Sequence, residues 1–240
     1  MKTLLGGFGI LVISALLTGC GTTAKFVYPA KDATIVRLAE TPRFAGRVAV
    51  PPFDDQRGNE NSSGTMWLYA IPLMPYGYIE YDRPDAARMF CSIAQFEFTP
   101  TEDLAKAAAY SLRKSCLFDD AFFTFGADKD KANYILCGTV TSSRYTGKII
   151  SYGVSVVCPY LWILGLPCGT SKDEIALQLS LVDGTSKKVL WQKSYEMTDS
   201  ITQGLYYEFG HDVLAYSQLM QEIMNDAVRG INQALIAAKK

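Results

Sequence analysis

Asp54 and Asp55 follow directly on an apolar run, with Arg57 two residues on and Asp82 further along the chain. Ligands gather at the carboxyl ends of strands in α/β proteins, so this polar grouping is placed for acid–base or ligand chemistry. Turn formation asks for the same residue types, because aspartates bond their own backbone, and both readings stand. Ser111-Leu112-Arg113-Lys114 has the S-x-x-K spacing of a serine nucleophile with a lysine base. No Lys-Thr-Gly or Ser-Asp-Asn element follows it, and Lys114 equally suits the cationic end of a helix. His211 lies beside Asp212, but with 1 histidine in 240 residues there is no second imidazole for a metal or a relay. Asp128-Lys129-Asp130 lacks the glycine and distal glutamate of a calcium loop and reads as a solvated turn. No catalytic residue, metal or cofactor is expected. Runs of Lys or Arg never exceed two, so there is no electrostatic footprint for nucleic acid.

The elements that must hold these residues are partly legible. An apolar fraction of 49% with 20% charged residues supports a packed core. Arg47 to Phe53 reads as a strand, and Asp54 to Asn59 as the turn after it. Thr99-Pro100-Thr101-Glu102 is a helix start, with Thr99 as cap, Pro100 at the first helical position and Glu102 closing a capping box. Leu104, Ala105, Ala108, Leu112 and Cys116 make its apolar stripe, which should end near Ser115. Phe118–Phe125 and Tyr134–Val140 read as strands, the latter running toward Tyr145. Ile175, Leu177, Leu179 and Leu181 alternate with polar residues, and Asp183-Gly184 turns the chain into Val189–Tyr195. From Tyr216 to Leu235 a three–four spacing marks a long amphipathic helix. These elements predict an α/β fold. It is a single sandwich of a four- to five-stranded mixed sheet with two main amphipathic helices packed on it, plus aromatic-rich insertions at about 55–98 and 146–173.

Residues 1–19 have the make-up of a secretory leader: Lys2, then an uncharged apolar stretch too short to span a bilayer. The stretch ends in Leu17-Thr18-Gly19-Cys20, which resembles the lipobox of bacterial lipoproteins. That resemblance implies cleavage before Cys20, acylation (palmitate) of Cys20, and membrane attachment through the lipid anchor. Gly21, with no aspartate after the cysteine, is similar to the pattern sorted to the outer membrane, which implies a periplasm-facing, lipid-anchored protein. Residues 20–45 then read as the acylated N-terminus and a tether, and 46–240 as the α/β domain.

An oxidising compartment leaves five further cysteines to place: Cys91, Cys116, Cys137, Cys158 and Cys168. Cys158 and Cys168 bracket Pro159 to Pro167, where a closed loop is sterically reasonable; a disulfide there is one expectation and two thiols the other. The same stretch belongs to an uncharged run, Ile149 to Ser171, long enough to span a membrane but broken by Pro159 and Pro167. A second uncharged run, Asn61 to Ile79, is rich in Trp, Tyr and Pro. Either these loops fold back over a small core, or they present Trp67, Tyr69, Tyr76, Tyr78, Tyr160, Trp162, Ile163 and Leu164 to a membrane or partner.

Arg47-Val48-Ala49-Val50-Pro51-Pro52-Phe53-Asp54, Ala132 to Val140 and the Ile175–Tyr195 hairpin resemble the α/β domain of a family of envelope lipoproteins. Its members include the curli-secretion lipoprotein, the exopolysaccharide-export ring lipoprotein and the lipoprotein activators of peptidoglycan synthases. The resemblance implies a non-enzymatic scaffold or accessory subunit of an envelope assembly or export machinery, with a protein partner or self-association. It also implies a membrane-inserting hairpin where Thr146 to Lys172 stands, although Pro159 to Pro167 is an apolar run without the alternation of a barrel strand. A pore-forming secretion lipoprotein and a small-ligand-binding or enzymatic domain are the competing expectations.

Overall fold

A computed structural model describes residues 23–31, 34–86, 95–126, 128–211 and 213–238; the leader, Cys20, Cys91 and Asp212 lie outside them. The strands are β1 (Thr23–Lys25), β2 (Phe44–Val50), β3 (Asp54–Asp55), β4 (Asn61–Gly64), β5 (Tyr76–Tyr81) and β6 (Gln95–Glu97). They continue with β7 (Phe118–Phe123), β8 (Tyr134–Ser142), β9 (Tyr145–Ile150), β10 (Gly169–Asp183) and β11 (Val189–Gln203). The helices are α1 (Pro100–Lys114), α2 (Pro159–Ile163) and α3 (Ala215–Ala238).

The expected hairpin forms, but each strand is 15 residues long, about 50 Å of ribbon. β11 pairs with β10 from Gly169 to Val182, so β8 and β9 must share the opposite edge of β10. They lie end to end there, broken only at Ser143 and Arg144. One half of the ribbon continues sideways into β2 and β7, the other into β5 and β4. Among the described residues the result is one sheet of nine strands rather than four or five, with β1 and β6 paired separately. The extra strands are β3 in the turn after β2, β4 and β5 in the 55–98 insertion, and β9, which runs into the 146–173 insertion.

Helices cover the first half. Leu104, Ala105, Ala108 and Leu112 of α1 are buried with Tyr216, Leu219, Met220, Ile223, Met224, Ala227, Val228 and Ile231 of α3. They meet Ile175, Leu177, Leu179 and Leu181 of β10 in one cluster. At the start of α1 the back-bond comes from Asp103, whose Oδ2 accepts Thr99 N–H at 2.7 Å, while Glu102 pairs with Lys106. Cys116 is not on the stripe. It takes φ of 55° just past the helix, and Leu117 fills the core position instead.

The stretch read as a tether belongs to the body from Thr23 on. β1 pairs in parallel with β6, Phe26 stacks on Phe98, and Val36 and Leu38 pack against the core. The Cys158–Cys168 disulfide is also absent. Cys158 stands at the start of α2, whereas the Cys168 thiol donates to the Gln203 carbonyl at 3.4 Å, drawn into the β10–β11 ladder.

Candidate functional site

The polar grouping after β2 assembles around Arg57 rather than around a reactive carboxylate. The guanidinium, 3% exposed, grips Asp55 through Nε and Nη2 at 3.0 Å each, and Asp85 through Nη1 at 2.6 Å. Nη1 also donates to Ser143 Oγ at 2.8 Å. Burial works against the charge on Arg57, but the bonds to Asp55 and Asp85 more than offset it and raise its pKa. Arg57 in turn holds the Asp55 carboxyl below its ordinary value. Arg83 bridges to Asp55, and Asp82 accepts from Arg144 and from Glu60 N–H. Asp54 stands apart, exposed on β3. Asp85 was not anticipated, since nothing local links it to a residue 28 positions away. The arrangement clamps the insertion to the β8–β9 break, a structural task for charged groups.

The other reactive candidates separate. Ser111 is buried and hydrogen-bonded to Tyr28, whose pKa burial pushes up to about 12; Lys114 is exposed, over the Tyr110 ring. His211 Nδ1 contacts Glu208 at 2.8 Å in an exposed loop. Asp128 pairs with Lys131 across a solvated turn.

The uncharged runs do the opposite: they converge. β5, from the first run, pairs with β9 from Tyr76↔Ile150 to Tyr81↔Tyr145. Beyond Ile150 the two loops are stitched by Leu73 N–H to Gly153 O at 2.8 Å, Ser151 Oγ–H to Met74 O at 2.5 Å, and Ser155 Oγ–H to Ala70 O. A third segment joins through Tyr206, whose hydroxyl donates to Ile163 O at 2.8 Å. Together they cap the second half of the ribbon, which extends past the helices as an arm. Residues 151–168 form a 3-10 turn and the short α2, not a strand hairpin. Among the described residues no helix is long and apolar enough to cross a membrane.

The arm tip turns apolar side chains outward. Leu73 is 89% exposed, Leu164 76%, Tyr160 73%, and Trp67, Tyr76 and Ile163 are exposed with them. Tyr69, Tyr78 and Trp162 are half-buried. Trp162 donates through Nε1 to Ile150 O at 3.0 Å, so it fixes α2 to the sheet. Behind it lies a cavity of about 160 Å³ lined by Ile149, Trp162, Cys168, Gln203, Leu205 and Phe209. Sequence reasoning missed Leu73, Val156, Val157, Tyr206 and Phe209, all exposed at this tip or its third segment.

Fold and site together define an α/β protein with an apolar arm. No family model matches the chain. No curated protein matches it. Among solved structures, a Xanthomonas campestris protein of family DUF330 is similar over 90% of this chain and 99% of its own, at 10% identity and TM-score 0.48. PelC of Paraburkholderia phytofirmans, a dodecamer, is similar over 81% of this chain and 94% of its own, at 15% identity and TM-score 0.38. Lipoprotein GNA1162 of Neisseria meningitidis covers 76% of this chain and 98% of its own, at 15% identity and TM-score 0.24.

Proposed function

We propose that this chain is a non-enzymatic, lipid-anchored lipoprotein of the bacterial outer membrane. It faces the periplasm and works by contact, as a scaffold or accessory subunit of an envelope assembly or export machinery. The observation that carries the reading is the arm tip: three segments, far apart in sequence, meet to expose aliphatic and aromatic side chains. Soluble monomers rarely expose a patch of this kind without a use for it. The clamp at Arg57 supports the same reading, since Asp55 and Asp85 serve ion pairs that tie their part of the insertion to the sheet.

Two measurements test this. Labelled palmitate should enter the wild-type protein and be lost in Cys20→Ala. A photoreactive residue replacing Tyr160 in intact cells should give a discrete adduct with an envelope component, whereas one replacing Lys187, at the far turn of the ribbon, should give none. Absence of palmitate, or equal adducts at both positions, overturns the proposal.

A further inference from the structure

We infer that the arm tip is a second membrane attachment, seated in the leaflet that holds the acyl chains of Cys20. The inference rests on the lipoprotein reading above and names what the tip touches.

The first argument is the length of chain before the body. Cys20 precedes Thr23 by three residues, which span about 10 Å when fully extended. Thr23 is already fixed, opposite Gln95 in the β1–β6 ladder, and Phe26 N–H closes on Glu97 O at 3.1 Å. The anchor therefore holds the body against the bilayer with almost no slack.

The second argument is where that leash leaves the body. Phe96 of β6 and the adjoining Phe98 pack on the Tyr216 ring. The Tyr216 hydroxyl donates to the carbonyls of Ser143 and Arg144, at 3.0 and 3.1 Å, which is the break between β8 and β9. β1 is thus tied to the base of the arm. From that base to the tip, Tyr145 to Ile150 covers about 20 Å. A leash shorter than the arm, starting from the arm's own base, keeps that base within about 10 Å of the bilayer, so the tip reaches the same surface when the arm lies oblique to it.

The third argument is chemical. The two insertions carry no charge across Asn61–Ile79 and Ile149–Ser171, and the flanking charges at the second are both lysines, Lys148 and Lys172. Leu73, Leu164 and Ile163 point outward, with Trp67, Tyr76 and Tyr160 beside them. Exposed aliphatic and aromatic side chains, with Lys148 two residues before the end of β9, suit the acyl boundary and headgroup region of a bilayer.

The test uses the mature chain with Cys20→Ser, so that no acyl chain contributes, and vesicles of phosphatidylethanolamine and phosphatidylglycerol. The chain should float with the vesicles. Leu73→Asp with Leu164→Asp should reduce flotation about tenfold or more. Both side chains are exposed, and aspartate tolerates the φ of 71° at position 73, so the fold is kept. A fluorescent residue replacing Leu164 should shift to the blue on vesicle addition, and one replacing Lys187 should not. No flotation, flotation without the shift at 164, or a soluble oligomer that buries position 164 between copies overturns the inference. Palmitate labelling separates the failures: wild-type protein that takes up palmitate while its unacylated form ignores vesicles removes the tip's role and leaves the lipoprotein reading standing.

Discussion

Arg57 shows how the same residues serve chemistry in one setting and architecture in another. Aspartates at the end of a strand suit an acid–base site, but here Asp55 and Asp85 both grip the buried guanidinium of Arg57. Replacing Arg57 with Met should therefore cost up to about 3 kcal/mol in urea denaturation, because Asp85 loses its contact with the guanidinium and Asp55 keeps only Arg83 as counter-charge. The pH dependence has a definite sign. Asp55 has a folded pKa held below its unfolded value by Arg57, so its contribution is fully present above about pH 4 and is lost as pH falls through the folded value. Urea midpoints measured from pH 7 to 3 should fall more steeply for wild type than for Asp55→Asn. Equal slopes would mean that the Arg57–Asp55 bond contributes nothing in solution. A polar cluster that includes Asp55 and Arg57 was legible, although Asp54 stands apart from it. Asp85 was not, because a bond across an insertion has no local signature.

Among elements, the helices were the most legible and the ribbon the least. α1 and α3 declare themselves by apolar residues at helical spacing, and apart from Cys116 their buried faces are the expected ones. In β10 the buried face continues through Ser171 and Asp173, polar residues that end the apolar alternation on paper while the strand runs on. β3, β4 and β6 are too short to carry any period. The arm depends on a feature that composition conceals: Gly77 and Gly169 flank Ile149 in the ladder. A Cβ at Gly77 would sit 2.1 Å from the Met66 carbonyl oxygen, and one at Gly169 2.4 Å from that of Lys148. Gly77→Ala should push the Met66–Ala70 turn off the sheet at a cost of about 1–3 kcal/mol. Hydrogen exchange should then quicken in Tyr76–Tyr81 and Tyr145–Ile150, while the buried face of α3 stays as in wild type. Equal quickening in α3 would show that arm and body unfold as one unit.

At the scale of the whole molecule, charge and grease are segregated. Polar groups pair across the body, as at Arg113–Asp120 and Lys193–Asp226, and two of the three segments at the arm tip are loops without a charge, while in the third Glu208 pairs with His211. Sequence composition located those loops, and five of the eight expected contact residues are exposed: Trp67, Tyr76, Tyr160, Ile163 and Leu164. What it did not reveal is that they share one tip, since β5 and β9 meet across more than sixty residues of chain. Segregation decides how salt acts. With a formal net charge of -1 the chain has no general attraction to anionic lipid, so the vesicle association inferred above rests on apolar burial at the tip. Raising ionic strength from 0.1 to 1 M shortens screening from about 10 to about 3 Å, which weakens exposed charge contacts and leaves apolar burial intact. Flotation of the unacylated chain should therefore stay within about twofold across that range. If Lys148 and Lys172 drew the chain to phosphatidylglycerol, flotation would instead fall steeply with salt and vanish in Lys148→Glu, and the tip would be an electrostatic contact rather than an inserted one.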